Sequence, residues 1–181
     1  VALIVGGRDT TYGELRDQVA RLRGGLASCG IGDGDRVALL CGNNRSFVVS
    51  YLAVVGIGAV AVPLNPASPA PEIERELAAV GPAAVIVGPA AASAWSEVDR
   101  DALPTVHTVV LAEAELPGAV SLDDLLAHEE APMVDVAPDH LAALMFTSGT
   151  AGPPRAAMLS HGNLLSNIEQ SMSARDRTRP D

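Results

Sequence analysis

Between residues 147 and 155 the chain gathers three hydroxyls (Thr147, Ser148 and Thr150), two glycines (Gly149 and Gly152), two prolines and one cation, Arg155. Such a set suits the meeting of an anion better than it suits packing. Glycines let successive backbone N–H groups converge on phosphate oxygens, hydroxyls add compact donors, and a guanidinium adds charge. Apolar runs on either side, Leu141 to Phe146 and Ala156 to Leu159, have the length of strands, so the segment is read as a loop joining two strands. Phosphate is the natural ligand of that loop. A plain Ser/Thr/Gly/Pro turn accounts for the same composition. A Walker A loop does not, because it needs Gly, four residues and Gly-Lys-Ser/Thr leading into a helix, and here a strand follows.

The elements that must position this loop follow from periodicity. Val1 to Val5 is an apolar strand and Gly6 to Asp9 a turn; Thr11-Tyr12-Gly13-Glu14 then has the form of a capping box and opens a helix. Leu15, Val19, Leu22 and Leu26 form the inner stripe of that helix, and Gly30 ends it. Arg36 to Cys41 reads as a strand, Ser46 to Gly58 as an apolar helix that must be covered on most sides, and Val60 to Leu64 as a strand. The amphipathic stretch Pro69 to Val80 turns Ile73, Leu77 and Val80 inward, and Ala83 to Val87 is the next strand. A weaker helix from Ala90 to Arg100 carries Trp95 as a packing anchor; Thr105 to Leu111 is a strand, and Ser121 caps a short helix to Glu129. An acidic, proline-marked connection leads to the two loop-flanking strands, and His161 to Ser171 closes the order as a helix. The alternation predicts an α/β fold, a mainly parallel sheet flanked by helices with one hairpin carrying the loop.

Composition narrows the partners. The 181 residues carry a formal charge of −10, which argues against nucleic acid and anionic membranes and favours a small-molecule ligand. The 12 cationic residues are all arginine, so no lysine chemistry is available within the chain. Cys29 and Cys41 lack a metal-type spacing and read as reduced, partly buried thiols, which fits a cytoplasmic location. His107, His128 and His140 show no ligand spacing, and His161 is read as a structural residue at a helix start. Apolar stretches are broken by Gly or Pro before they reach membrane-spanning length, so no membrane span is expected. The start at Val1 and the polar tail from about residue 172 read as those of a piece of a larger protein.

The loop Thr147-Ser148-Gly149-Thr150-Ala151-Gly152-Pro153-Pro154-Arg155-Ala156 resembles the phosphate-binding loop of the adenylate-forming superfamily: acyl-CoA synthetases, firefly luciferases and peptide-synthetase adenylation domains. The superfamily pattern is Thr-Ser-Gly-Thr-Thr-Gly-x-Pro-Lys-Gly, from which Ala151, Arg155 and Ala156 depart. Thr11 to Leu15 is similar to its first core motif and Gly56 to Leu64 to its second. Pro63-Leu64-Asn65-Pro66 and Met158 to Leu164 look like the acyl- or aryl-CoA ligases, since adenylation domains usually have Asp where Asn65 stands.

The resemblance implies the N-terminal subdomain of a larger enzyme, a fatty-acid- or aryl-acid-CoA ligase, with the fatty acid preferred. Such an enzyme joins a carboxylic acid to ATP as an acyl adenylate and passes it to CoA with Mg²⁺ as cofactor. It puts Thr147, Ser148, Gly149, Thr150, Ala151, Gly152 and Arg155 at the nucleotide phosphates, with no general base or nucleophile among them. It also places the metal-binding glutamate, a late lysine and the adenine and acyl sites after this sequence, so the piece alone is expected to be inactive. Cutting through the domain would leave apolar faces uncovered, and a dimer is expected. Two other readings within the family are an acyl-AMP ligase and a noncatalytic phosphate-binding or interaction module. A dinucleotide-binding domain is disfavoured because no Gly-x-Gly-x-x-Gly follows an early strand.

Overall fold

The computed structural model describes residues 1–113, 118–147 and 154–177, with side chains described to residue 173. Its centre is a seven-stranded sheet in the order β7-β6-β5-β3-β4-β8-β9. The strands are β3 (Arg36–Leu40), β4 (Val60–Pro63), β5 (Ala84–Val87), β6 (Thr108–Leu111), β7 (Val120–Ser121), β8 (Leu141–Phe146) and β9 (Ala156–Ser160). Neighbours pair in parallel except β8 and β9, which form an antiparallel pair at one edge. A mixed sheet flanked by helices is the architecture expected from the sequence.

Both faces of the central strands are sealed, and the two-residue period of a strand shows how. Val37, Leu39 and Cys41 belong to a core built with α1 (Tyr12–Ser28), α2 (Arg45–Gly56) and α5 (Leu122–Leu126). Ala38 and Leu40 belong to the opposite core, with α3 (Ala70–Val80) and Trp95 of α4 (Ala92–Ser96). Near-continuous Val/Ile/Leu/Ala runs are what strands covered on both faces require. The helix signals behave as their chemistry demands. Thr11 Oγ1 accepts from Glu14 N–H at 3.2 Å and the Glu14 carboxylate accepts from Thr11 N–H at 2.7 Å, a complete capping box for α1. Ile73, Leu77 and Val80 are buried on α3 as its stripe predicts.

Several expectations are corrected. Leu3–Val5 forms β1, and the supposed turn after it contains a second strand, β2 (Arg8–Thr10), paired antiparallel to β1 outside the main sheet. Its Arg-Asp-Thr sequence has no apolar member to announce it. The expected helix over 90–100 breaks into 3₁₀ turns at Pro89–Ala91 and Arg100–Ala102 around the five-residue α4. The helix after Ser121 stops at Leu126 rather than Glu129, and Ser121 caps it as expected, accepting from Asp123 N–H at 3.2 Å. α6 (His161–Arg177) runs past Ser171. α2 is less covered than its composition suggests, with Leu52 still 39% exposed.

Between α5 and β8 the acidic connection, residues 127–140, is a strap held down on α1 and α2. Ala131 N–H donates to Ala20 O at 3.0 Å, Arg23 Nε to Ala131 O at 2.9 Å, and Val134 N–H to Gly56 O at 2.8 Å. Gly25 permits the neighbouring close approach, since a Cβ there would lie 2.5 Å from Leu125 O.

Candidate functional site

The β8–β9 hairpin places the loop at its tip. β8 lies between β4, its parallel neighbour at Ala61↔Ala143, and β9, with Met145 opposite Ala157 and Phe146 opposite Ala156. Thr147 N–H donates to Arg155 O at 3.3 Å, one further rung that brings the two ends of the loop together. Thr147 and Arg155 are both exposed. A hydroxyl and a guanidinium thus stand on opposite sides of the stem, reachable by a ligand from outside. Ser148, Gly149, Thr150, Ala151 and Gly152 lie outside the described residues.

The base of the hairpin is tied to the segments that lead into the neighbouring parallel strands β4 and β3 by contacts with no motif in sequence. His140, just before β8, has Nε2 3.0 Å from Gly58 O and 3.2 Å from Asp33 Oδ1. Gly58 adopts φ +76°, and a Cβ there would lie 2.7 Å from that Asp33 oxygen, so a side chain at 58 is excluded twice over. Sequence reasoning passed over His140 because its partner is some hundred residues away. Its neighbour His161 begins α6, as expected of a structural residue, and donates its backbone N–H to His140 O at 3.0 Å. Ser160 and Asn163 cap that helix reciprocally: Asn163 Oδ1 accepts from Ser160 N–H at 3.0 Å and Ser160 Oγ from Asn163 N–H at 3.2 Å. The two imidazoles are 6.0 Å apart. Burial, and then the charge of His140, hold the His161 pKa below the usual imidazole range, so it is neutral at pH 7.

Other nucleophiles and metal ligands offer little. Cys41 is 4% exposed, and burial pushes its thiol up to about 11, which leaves it protonated and unreactive at neutral pH. Among the described residues no group of three or more His, Cys, Asp or Glu could hold a metal ion, and no helix is long and apolar enough to cross a membrane. Trp95 is 1% exposed within the α3–α4 core, a packing anchor as expected. Asn65 makes a local turn, its Oδ1 accepting from Ala67 N–H at 3.0 Å.

Comparison with known proteins adds to this geometry. Residues 1–181 match the family model described as AMP-binding enzyme. The chain is 38% identical over 162 residues to a feruloyl-CoA synthase of an Amycolatopsis species, covering 90% of this chain and 30% of that protein. It is 30% identical over 194 residues to the mitochondrial medium-chain acyl-CoA ligase ACSF2 of Pongo abelii, covering 92% of this chain and 32% of the other. Among solved structures, acetoacetyl-CoA synthetase from Streptomyces lividans superimposes with a TM-score of 0.81 at 28% identity, covering 88% of this chain and 27% of that one. The chain therefore spans about a third or less of the length of these relatives.

Proposed function

Because the chain belongs to the AMP-binding enzyme family, we propose that it supplies the phosphate-holding wall of a site that activates a carboxylic acid with ATP and hands the acyl group to CoA. The observation that carries this reading is the closed stem of the hairpin, with Thr147 and Arg155 exposed on its two sides at the ends of a Ser/Thr/Gly loop. In the first step a carboxylate oxygen attacks the α-phosphorus of ATP and the bond to pyrophosphate breaks. In the second the CoA sulfur attacks the acyl carbon, AMP leaves, and the thiol proton goes to solvent. Both reacting partners of the first step are anions, so the work left to the protein is holding and neutralising phosphate oxygens. Thr147, Ser148 and Thr150 donate to them, Gly149 and Gly152, with Ala151 between them, let the backbone approach, and Arg155 adds a two-pronged positive charge. None of these is a base or nucleophile, because the substrate carboxylate is itself the nucleophile.

The glutamate that would hold Mg²⁺ is assigned to sequence beyond these 181 residues. The acid is apolar: the sequence reading favours a fatty acid, while the feruloyl-CoA synthase relative supports an aryl acid. Recognition of adenine and acid, and a lysine for the reaction, are assigned to sequence beyond these 181 residues, so the chain alone should make no acyl adenylate. The noncatalytic reading draws support from the departures at Ala151, Arg155 and Ala156. Equilibrium dialysis of the 181-residue chain against labelled pyrophosphate tests whether the loop holds phosphate. Arg155→Ala should weaken binding by about 1.5–3 kcal/mol, the range for a hydrogen bond to a charged group, and Arg155→Lys should be mild. Equal binding by wild type and Arg155→Ala would remove the loop from phosphate recognition.

A further inference from the structure

β8 has a sequence that cannot set its own register. Leu141-Ala142-Ala143-Leu144-Met145-Phe146 is apolar throughout, and Ala142 and Ala143, which face opposite ways, are both 0% exposed. A slip of one residue exchanges apolar for apolar, and alanine for alanine at the centre, so the alternation that fixes a strand with one wet face is missing. Its neighbours add little. The ladder to β4 is registered at Ala61↔Ala143, and the ladder to β9 shifts between Leu141 and Ala143. Yet such a slip would carry Thr147 about 3.3 Å along the hairpin and turn its side chain to the other face.

The residue before β8 supplies what the strand lacks. His140 Nε2 lies 3.0 Å from Gly58 O, and because a carbonyl can only accept, Nε2 carries the proton. Gly58 is buried, and its carbonyl also accepts from Gly34 N–H at 2.9 Å. One oxygen thus gathers the segments that lead into β3, β4 and β8, three neighbours in the sheet. Asp33 Oδ1 stands 3.2 Å from the same nitrogen, but its side chain is 70% exposed and that contact counts for less. The backbone beside His140 pins the other strand. His140 O accepts from His161 N–H at 3.0 Å and Pro138 O from Gly162 N–H at 2.7 Å, just where β9 ends.

We propose that His140 is a positioning residue for the phosphate loop: its hydrogen bond to Gly58 O sets the register of β8, and through β8 the place where Thr147 and Arg155 stand at the ends of the loop. This role rests on the loop's holding phosphate, as proposed above. Positions 140 and 147 are about 23 Å apart along an extended strand, so the imidazole meets no phosphate itself. It acts through the strand, whose far end is locked by the bond from Thr147 N–H to Arg155 O. The partners of His140 all belong to residues 33–162 of this chain, so the role is independent of what covers the open edge of the sheet.

Two substitutions separate the donor from the bulk of the ring. His140→Gln can set an amide N–H where Nε2 stands, and His140→Phe keeps a ring of similar size with no donor. In equilibrium dialysis against labelled pyrophosphate, His140→Phe should bind about fivefold to tenfold more weakly than wild type and His140→Gln within about twofold, as the loss and recovery of one hydrogen bond require. Hydrogen exchange read amide by amide should show protection lost from Ala142 to Thr147 in His140→Phe and kept in His140→Gln, with β3 and β5 unchanged in both. Three results would each overturn the positioning role: β8 amides still protected in His140→Phe, equal losses in His140→Phe and His140→Gln, or wild-type pyrophosphate binding by a His140→Phe chain whose β8 amides have opened. Arg155→Ala is the control that separates the two proposals. If it binds pyrophosphate as wild type does, the loop does not hold phosphate and His140 has nothing to position; a loss in Arg155→Ala with none in His140→Phe sinks the positioning role alone.

Discussion

The two halves of the seven-stranded sheet solve the same problem differently. Strands β3 and β5 have every side chain from Val37 to Leu40 and from Ala84 to Val87 buried to 0%, because helices of this chain cover both faces. At the other edge β9 is the last strand, Met145 and Met158 are 40% and 70% exposed, and α6 shows solvent most of its surface. One region is finished by local sequence and the other is left for something else to meet. The loop with the chemical signature sits on the unfinished edge. Buried strands make a rigid base, and the candidate phosphate loop joins the two strands at the open edge.

The sharpest way to break this contrast is to cut into the closed half. Trp95→Ala removes the largest fully buried side chain and should cost about 3–5 kcal/mol, by lost transfer energy and by the cavity left behind. Met158→Ala on the open edge should cost within about 0.5 kcal/mol. Urea unfolding of the two variants measures the difference, and equal losses would mean the edge is as tightly covered as the core.

A smaller effect comes from Cys41, which belongs to the closed half. Its folded pKa is raised by burial from 9.0 to about 11, so the protonated form is the one folding favours. The resulting stability is fully present below pH 9 and is lost as pH rises through 11, a span worth roughly 3 kcal/mol. Wild type should lose stability between pH 9 and 11 more steeply than Cys41→Ala. Parallel curves would show that the thiol ionises in the fold without penalty. Burial raises the pKa of Tyr51 as well, in both proteins alike, so the difference between the two is the measurement that counts.

How much of this could be read from the sequence follows the same division. The capping box at Thr11 and Glu14, the α3 stripe and the apolar strands are local patterns whose physics is complete within about a dozen residues, and they appear where periodicity puts them. Polar β2 and the two-residue β7 carry no apolar alternation of their own; each is defined by backbone pairing with the strand before it, β1 and β6. The same holds at the candidate site. The hairpin stem from Leu141 to Ser160 followed from two apolar runs, and the loop between them is a candidate on its residue types alone. The tie from His140 to Asp33 and Gly58 spans the chain, and nothing in the spacing of these residues foretells it. The groove between α1, α2 and the strap was hidden for the same reason: an almost entirely apolar α2 reads as covered, and only the path of the strap shows where its cover stops short of Leu52.

The smallest expected effect lies at the join between the two regions, where His161 links the strap to α6. Its pKa is lowered by burial first and by the nearby His140 second, and its Nε2 is buried without a hydrogen-bond partner among the described residues. A base whose folded pKa is depressed contributes stability that is present above its unfolded value, near 6.5, and lost as pH falls through the folded one. Acidification below pH 6.5 should therefore loosen the start of α6 before it disturbs the closed half of the sheet. Hydrogen exchange at pH 7 and pH 5 reads this directly. Amides of residues 161–168 should lose protection relative to those of β3 and β5 in wild type, and the loss should shrink in His161→Gln, which keeps a polar side chain but cannot take up a proton. If the same amides opened equally in wild type and His161→Gln, protonation of His161 would not be what loosens the join.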